Sequence, residues 1–470
     1  MPLIGDTVEV LSIHQHGHNQ YSNLWGEDGE QWSPQSYLPD FSYAGYHHGE
    51  EPLPKINQCV SIVDDFGAKG DGRDSSQAFL DAIEVNRPIY IPSGRYKITK
   101  IIESKVSLIG EDPDKTVLYF PNHLTDIKPD WKITPEMRIS NYSWSGGFIW
   151  IKGNFEKRFL TSIIAEAKRG EDSLIVSSAD ELRVGQRIEI KFRRKSNSLV
   201  QYLYSGDSGD TDNWKDIKVS LVCRITEVKG NLIIFDRPLR FDVKLEWLPE
   251  VYQFNSSVTK ISIENLCFEF PNTLYDGHFS ELGYNALALS NVSDCWVRNI
   301  KIVNADSGIF IDRSKFCTIQ NIIFESNRKG RDNCVGHHGI YLQGDDNLFT
   351  NFEFKVQFIH DISVSNCSGN VCCDGRGINL CFDHHKKAPY ENLFTNIDAG
   401  LGSRMWISGG GEKLGRHCGA RGTFWNIRSK NPQKYPIDFG PNSVNLVAIK
   451  SESIYPQNIY RSQLARRLRR

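Results

Sequence analysis

The stretch VSIVDDFGAKGDGRDSSQAFLDAIEVNRPIYIPSGRYKITK, residues 60–100, decides the fold. A β-branched run is followed by a glycine-rich loop, a short segment with helical periodicity and a second β-branched run. Asp74 or Ser75 supplies the N-cap of the helical segment. The apolar residues on one face of that segment are Ala78, Phe79, Ala82 and Ile83. The stretch therefore predicts a strand, a loop, a short helix and another strand.

A repeat follows in the C-terminal half of the chain. An asparagine precedes an apolar residue in a series of short apolar strings, at Asn265, Asn299, Asn321, Asn351, Asn370, Asn396 and Asn426. A second series of strings precedes the later members, at residues 286–290, 308–312, 339–343, 361–365, 379–383 and 404–408. Both series alternate apolar and variable residues, as strands with one buried face do. Recurrence every ~20–30 residues is typical of a β-solenoid, with a β-sandwich as the alternative.

The 60–100 stretch closely resembles the opening of the right-handed parallel β-helices of the pectate-lyase superfamily, which includes rhamnogalacturonases and phage tailspike depolymerases. The shared features are the Gly-Asp-Gly loop, the short helix and the I-P-x-G-x-Y strand. The resemblance implies an all-β, right-handed parallel β-helix capped by this helix, a carbohydrate substrate and an extracellular or surface location. A homo-oligomer, trimeric or dimeric, is also expected. The reaction stays open, since this fold carries lyases, hydrolases and adhesins.

Five segments are expected along the chain. Residues 1–57 form an arm that packs on the solenoid, and residues 58–125 begin the β-helix with its capping helix. Residues 126–255 form an inserted β-rich subdomain or flap, because their strands and turns interrupt the repeat. Residues 256–450 form the main coils with the site. Residues 451–470 form a basic C-terminal tail.

Composition excludes some classes of partner. The chain has 470 residues, a net charge of −2 and a pI near 6.7, so neither nucleic acid nor membrane is expected as a partner. No apolar run approaches the ~20 residues that span a bilayer. No signal peptide is visible, which leaves the compartment undetermined. Most of the eleven cysteines lie in apolar strings and are expected to be structural thiols.

In a solenoid, residues at equivalent positions of successive coils are neighbours in space, because these positions lie ~4.8 Å apart. Aligning the coils in the sequence therefore predicts which residues lie side by side. With the alternating apolar residues inside, an outer face collects polar and aromatic residues from neighbouring coils. The predicted members are Asp361 and Arg404 before the strands, Tyr341 and Trp406 in mid-strand, Asp383 at a strand end, and His338, His360, His384 and His385 at the corners. Each of these residues, taken singly, also has a purely structural explanation. Their convergence on one face favours a carbohydrate site, with the aromatic rings as stacking platforms.

The next loop, SGGGEKLGRHCGARGTFWN at residues 408–426, is rich in glycine and basic residues. It is predicted to close over an anionic sugar and to bind its carboxylate through arginine. A solvated loop is the alternative. The substrate-binding candidates here are Glu412, Arg416, His417 and Arg421, joined by Lys386 from the preceding turn.

Reaction geometry favours a lyase over a hydrolase. A glycosidase needs two carboxylates ~5–9 Å apart, whereas Asp361 and Asp383 are predicted ~13 Å apart along the strand axis. In a hydrolase, Glu412 would therefore have to be the second carboxylate beside Asp383. A β-elimination needs a cation, a base and an acid. The candidates are Arg404, Arg416 or Arg421 as the cation, His360, His384 or His385 as the base, and Tyr341 as the acid. A uronic-acid polysaccharide lyase is therefore expected, with a glycoside hydrolase and a non-catalytic adhesin as alternatives.

No cofactor and no metal ligand are predicted. Asp345 and Asp346 in GDDN are the residues that would hold Ca²⁺, although they form no larger acidic cluster. GDDN also follows GHHG, residues 336–339, which reverses the order in polygalacturonase-type sites. The catalytic roles of that group are therefore not transferred.

Overall fold

Two long parallel sheets form the body of the protein. The computed structural model describes residues 13–16, 19–133, 137–193, 196–431, 433–440, 445–447 and 454–469. From residue 285 to residue 398, successive strands alternate between the two sheets, so each coil adds one strand to each. The predicted parallel β-helix is confirmed.

The first sheet, called the site sheet here, has seven strands. In spatial order they are Ile102–Ser104, Ile149–Lys152, Asn285–Ser290, Ser307–Asp312, His338–Gln343, His360–Val364 and Phe382–His384. All neighbouring strands are parallel. Ile149–Lys152 was expected in the insertion, but it pairs with both flanking solenoid strands. The segment 404–408 was expected as a further strand, but it forms a turn.

The second sheet, called the asparagine sheet, has fourteen strands in the described residues. Its main path is Val60–Ser61, Ile89–Ile91, Leu108–Gly110, Ser262–Glu269, Trp296–Val303, Thr318–Glu325, Leu348–Phe354, Val371–Gly377, Leu393–Asp398, Thr423–Arg428 and Asn445–Val447. Beside it lie Asp71–Asp74, Gly94–Lys97 and Thr116–Tyr119. The apolar residues that alternate along both sheets meet in one continuous core. Burial of this core on stacking explains why the coils fold only together.

The asparagines stack along the second sheet, as the repeat predicts. Asn299 donates to Asn265 Oδ1 at 2.9 Å, and Asn321 donates to Asn299 Oδ1 at 2.8 Å. Each has a positive φ of 55–56°, a conformation that asparagine tolerates better than most residues. One predicted member is wrong: Asp374, with φ 54°, takes the place expected for Asn370. Asn370 belongs to a separate buried row with Asn347 and Asn392.

We expect Asn321→Ala to lower the free energy of unfolding by about 1–2 kcal/mol, because alanine is disfavoured at positive φ and the bond to Asn299 is lost. Asn321→Gly should cost less, since glycine accepts this conformation freely. Chemical denaturation of both variants measures the difference. Equal losses would show that the hydrogen bond, and not the backbone conformation, explains the asparagine.

The insertion forms an antiparallel sheet of six strands. In spatial order they are Phe159–Ser162, Pro249–Gln253, Arg187–Phe192, Ser220–Lys229, Leu232–Phe235 and Ser173–Ile175. The sheet has its own apolar core. Buried ion pairs join the insertion to the coils: Arg237 lies 2.9 Å from Asp346, and Arg240 binds the same carboxylate.

The arm and the tail pack together on the outside of the asparagine sheet. Trp25, Trp32 and Phe41 share an apolar cluster with Trp425 of a coil and Ile459 of the tail. The tail forms a docked helix, and its Arg467 binds Glu50 at 2.6 Å. The helices are Ser76–Glu84, Leu124–Ile127, Asn197–Leu203 and Ile459–Leu468, with 3₁₀ turns at Tyr46–Gly49, Asn141–Ser143, Leu245–Trp247 and Arg331–Asn333.

Short strands complete the structure. Ile13–His16 pairs with Asn19–Ser22, which also pairs with Ile454–Tyr455, and Trp131–Ile133 pairs with Arg138–Ser140. The predicted capping helix is confirmed as Ser76–Glu84, and it buries Phe79 and Ala82. Among the described residues, no helix is both long and apolar enough to cross a bilayer.

Candidate functional site

The last strand of the site sheet, Phe382–His384, pairs in a register that differs from the predicted one. Asp383 pairs with Ser363, and Phe382 pairs with Ile362, whereas the sequence alignment placed Leu380 beside Ile362. The predicted register is therefore wrong by two residues. A slip of two keeps the same face buried, so the alternation of apolar residues cannot distinguish the two alignments. The slip moves Asp383 from the strand end to mid-strand.

One column of outward residues crosses the site sheet as a result. It runs through Trp150, Ala288, Phe310, Tyr341, Ser363 and Asp383. Five steps of ~4.8 Å give it a length of ~24 Å. The column is apolar and aromatic at one end and polar at the other.

Asp383 is fully buried and bonded through both oxygens. Its Oδ1 accepts from the backbone N–H of Gly409 at 2.8 Å. Its Oδ2 accepts from Ser363 Oγ at 2.8 Å and from His385 Nδ1 at 2.9 Å. Burial alone would raise the pKa of this carboxyl, but the facing His360 and His385 rings hold the pKa far below its usual range. Asp383 is therefore an ionised anchor for the imidazole of His385.

A group of histidines surrounds this anchor. His337 and His338 stack at 4.0 Å between ring centroids, and His338 stacks on His360 at 5.1 Å. Burial lowers the pKa of His337 and His338 well below the ordinary histidine value. Neither ring nitrogen of His337 or of His360 has a hydrogen-bond partner. Buried polar atoms without partners are rare and require an explanation.

The glycines of GHHG explain how two adjacent histidines reach this position. A Cβ on Gly336 would lie 2.6 Å from the carbonyl of Ala305, and a Cβ on Gly339 would lie 2.3 Å from the ring of Phe354. Only glycine fits at either end, because the backbone passes close to the core there.

A loop between two coils brings a further histidine, His278, to the group. The His278 ring lies 4.6 Å from the His337 ring and 6.0 Å from the His360 ring. Tyr275 fixes this loop by donating to Glu281 Oε1 at 2.6 Å. Burial raises the pKa of Glu281 to about 7. Its Oε1 lies 3.5 Å from His337 Nδ1.

Two depressions lie on the outside of the site sheet, and the first is lined in part by Tyr341, whose ring stacks on that of His338. An aromatic groove of about 180 Å³ is lined by Trp144, Trp150, Phe310, Asp312, Tyr341 and Gln343, among others. A basic cleft of about 500 Å³ lies between the insertion and the coils and shares Gln343 with the groove. Its cationic side chains are Lys157, Lys191, Arg193, Lys218, Arg313 and Lys315, against the acidic Glu189 and Asp345. The larger groove of about 590 Å³ follows the asparagine sheet instead of the site sheet.

Two of the predicted site residues face the core instead of the outer surface. His384 is buried, its Nδ1 donates to the carbonyl of Phe382 at 3.0 Å, and its ring packs against Phe394 and Phe424. Trp406 is also buried, at 4.8 Å from Phe424. The register slip explains His384, and the turn at 404–408 explains Trp406. Neither side chain is available to a sugar in this structure.

Asp361 and Arg404 lie below the outer face and form hydrogen bonds with backbone groups. Asp361 accepts from the N–H groups of Phe358 and Cys381, each at 2.9 Å. Arg404 donates to the carbonyls of Phe358 and Ile359 and lies 3.6 Å from Asp361. Burial raises the pKa of Asp361, against the effect of Arg404. The predicted outward position of both residues is wrong.

The glycine-rich loop is docked on the insertion. Arg416 binds Asp207 at 3.1 Å, and Arg421 binds the buried Glu391. His417 Nδ1 lies 3.0 Å from the carbonyl of His384. Glu412 is exposed, and its carbonyl accepts from Asn213 at 3.1 Å. The two predicted arginines are thus engaged by carboxylates of this chain, while Lys386, which donates to Gly411, lies beside His385.

The predicted calcium candidates are also engaged. Asp345 binds Lys315, and Asp346 binds Arg237 and Arg240. Their carboxylates are therefore neutralised by side chains of this chain, and the Ca²⁺ expectation has no support in this geometry.

Sequence reasoning brought Tyr341, His338, His360, Asp383 and His385 together correctly, although Tyr341 is buried. It did not include His278, His337, Glu281 and Ser363. The doubled histidine of GHHG was the available signal for His337. His278 and Glu281 lie in a loop outside the repeat, where alignment of coils gives no position.

Residues 60–126 match a family model described as "Rhamnogalacturonase A/epimerase, pectate lyase-like", which confirms the resemblance for that segment. No curated protein matches the sequence. Among solved structures, the tailspike protein gp49 from Pseudomonas phage LKA1 is similar with a TM-score of 0.46 and 16% identity, over 79% of this chain and 64% of that chain. The chain thus spans less than two thirds of that tailspike.

Two enzymes are also among the similar structures. The exopolygalacturonase from Thermotoga maritima has a TM-score of 0.33 and 12% identity, over 82% of this chain and 80% of that chain. The A-module of the mannuronan C-5 epimerase AlgE4 from Azotobacter vinelandii has a TM-score of 0.33 and 11% identity, over 82% and 76%.

Proposed function

We propose that this protein is a polysaccharide lyase that cleaves a uronic-acid-containing polymer by β-elimination. The observation that carries the proposal is the His385–Asp383 pair, which stands at the polar end of the outer column with the aromatic groove beside it. His385 is 19% exposed, whereas Asp383 is fully buried. A partly exposed imidazole on a buried carboxylate is an arrangement suited to general base catalysis.

The tautomer of His385 follows from its partner. An ionised carboxylate only accepts hydrogen bonds, so Nδ1 carries the proton in the 2.9 Å contact with Asp383. Nε2 of the neutral ring is then the free base. Asp383 acts as a positioning residue, because it holds both the tautomer and the orientation of the ring.

Tyr341 is proposed as the acid, because it lines the aromatic groove although it is only 4% exposed. Its ring centroid lies 5.6 Å from that of His385, and burial raises its pKa above the ordinary value, so the phenol is protonated at neutral pH. In the reaction His385 Nε2 takes the proton from the carbon that carries the carboxylate. The electron pair forms a double bond to the next carbon as the bond from that carbon to the glycosidic oxygen breaks. The leaving oxygen takes the phenolic proton of Tyr341.

The charge of the adjoining cleft supports an acidic polymer. Six cationic side chains and two acidic ones line it. Five of the cations also pair with carboxylates of this chain, so the cleft keeps a small excess of positive charge, which attracts an anionic chain. The aromatic groove next to it offers the partly exposed Trp144 and Trp150 as apolar surfaces for sugar rings. Binding should therefore weaken with added salt.

The hydrolase alternative has less support. A glycosidase needs two carboxyl groups that face the same bond. Asp361 is bound to two backbone N–H groups below the outer face, and Asp383 is already bonded through both oxygens. Glu412 in the glycine-rich loop remains the second carboxylate that a hydrolase would use.

The test is a panel of acidic and neutral polysaccharides incubated with the protein. We expect the ultraviolet absorbance of unsaturated uronate ends to rise together with new reducing ends on an acidic member of the panel. Protein with Tyr341→Phe should give a slower rise at equal binding. Reducing ends without absorbance would indicate hydrolysis, and binding with neither signal would indicate an adhesin; either result would refute the lyase.

A further inference from the structure

A cluster of three histidines beside the proposed base has no role in the elimination described above. Ligand atoms of His278, His337 and His360 all lie within 4.8 Å of one another. The members come from a loop, from GHHG and from the next coil, so the fold and not local sequence assembles them. His337 is completely buried and His360 is 3% exposed.

The ring nitrogens of this cluster lack partners. Both nitrogens of His337 and both of His360 are buried without a hydrogen bond. Buried imidazole nitrogens without a hydrogen bond are costly in a packed interior. A bound cation removes this cost, because a neutral imidazole nitrogen is a good ligand for borderline transition metals.

Two of these rings each have a carboxylate oxygen near Nδ1. His360 Nδ1 faces Asp383 Oδ2 at 3.3 Å, and His337 Nδ1 faces Glu281 Oε1 at 3.5 Å. Histidines that bind metals usually direct the other ring nitrogen at a carboxylate or a carbonyl, which fixes the ring and raises its basicity. In both residues this arrangement leaves Nε2 for an ion.

We propose that His278, His337 and His360 form a binding site for one divalent transition-metal ion of the zinc class. Three imidazoles leave the fourth tetrahedral position open for water or for an oxygen of a ligand. Nitrogens bind Zn²⁺ at about 2.0–2.1 Å, so the rings must approach one another slightly when the ion binds.

A second group of ligand atoms shares His360 with the first and consists of His360, Asp383 and His385. The structure favours the three histidines over this second group. Asp383 is saturated by Gly409, Ser363 and His385, and His385 Nδ1 is engaged by the same carboxylate. Nδ1 of His337 and Nδ1 of His360 each face a carboxylate oxygen, whereas Nε2 of both residues has no hydrogen-bond partner.

An ion in this site would supply the positive charge that the sequence had assigned to arginine side chains. Arg404, Arg416 and Arg421 each bind groups of this chain. An ion at His360 lies next to the His385–Asp383 pair, where it would neutralise the carboxylate of a bound uronate. This part of the inference rests on the proposed function, whereas the binding of the ion does not.

Calorimetric titration of chelator-treated full-length protein with Zn²⁺ tests the site. We expect one ion per chain, and a tetrahedral d–d spectrum when Co²⁺ replaces Zn²⁺. His337→Ala and His278→Ala should each weaken binding by more than about 100-fold, and Glu281→Gln by about 10–100-fold. His278 is exposed and lies in a loop, so its variant tests the site even where His337→Ala fails to fold.

His385→Ala and His123→Ala are the matched controls, and both should retain the ion. His123 caps the Leu124–Ile127 helix and lies 3.2 Å from Asp126. Absence of stoichiometric binding, or loss of binding in His385→Ala with retention in His278→Ala, would overturn the proposed site. The formation of unsaturated ends is measured separately from Zn²⁺ binding. If the protein binds Zn²⁺ but forms no unsaturated ends, the metal site is supported and the lyase proposal is refuted.

Discussion

His385→Ala will reduce kcat on the acidic polysaccharide by about 10²–10⁴-fold, the usual contribution of a general base. The thermal melting temperature should stay near that of the parent, because the side chain is partly exposed and packs at the edge of the site. Steady-state kinetics that follow the absorbance of unsaturated ends measure the effect. A comparable loss is expected for Asp383→Asn, since an amide that donates to Nδ1 would place the proton on Nε2 and remove the base.

The neighbouring His384 provides the control for this prediction. Its ring is buried among Phe394, Phe424 and Phe439, so His384→Leu should lower the melting temperature and leave kcat within a few-fold of the parent. The opposite pattern, a stable but inactive His384→Leu with an active His385→Ala, would show that the catalytic imidazole is His384 and that the register of this strand is different.

Asp346→Asn will lower the free energy of unfolding by about 3–5 kcal/mol, because removing one partner of a buried ion pair leaves the other charge uncompensated. Arg237 and Arg240 both bind this carboxylate and are 2–3% exposed. Asparagine keeps the shape of the residue and tolerates its φ of 56°. Urea denaturation of parent and variant measures the loss.

Glu181→Gln makes the same chemical change in an exposed pair. Glu181 binds Arg158 at 2.5 Å with both side chains more than half exposed, and this variant should cost no more than about 1 kcal/mol. Equal effects of the two substitutions would show that the Asp346 pairs do not hold the insertion on the coils.

The effect of Asp346→Asn should also depend on pH. Burial alone would raise the pKa of Asp346, but Arg237 and Arg240 lower it below its ordinary value. A carboxyl whose pKa is lower in the folded state stabilises the protein above its unfolded pKa of about 3.9. The difference between parent and variant should therefore be complete near neutral pH and decrease as the pH falls below about 4.

The insertion has a consequence for the site as well as for stability. Its Asp207 and Asn213 hold the glycine-rich loop, and Gly409 in that loop donates to Asp383. The same loop was expected to be a flexible cationic cover over a sugar. In the structure it supports Asp383, the anchor of the proposed base, and cationic side chains near the site sheet line the basic cleft instead.

The amino-acid sequence determined the fold and part of the outer face. The 60–100 stretch and the alternation of apolar residues specify a parallel β-helix, because each coil can bury its apolar face only against its neighbours. The asparagine row was visible for a similar reason: it repeats once per coil and needs a residue that accepts positive φ. Alignment of the coils also placed Tyr341, His338 and His360 together.

Only the tertiary structure decided that the last strand of the site sheet extends to His384, whose side chain then faces the core while His385 follows it outside. The alternation of apolar residues could not decide this, because two registers that differ by two residues bury the same face. The tertiary structure also decided that Arg404 and Asp361 bind backbone groups, that Arg421 binds Glu391, and that His278 joins His337. These contacts join segments far apart in the chain. Each depends on where a loop or an insertion returns to the coils, and the local alternation of residues does not encode that return.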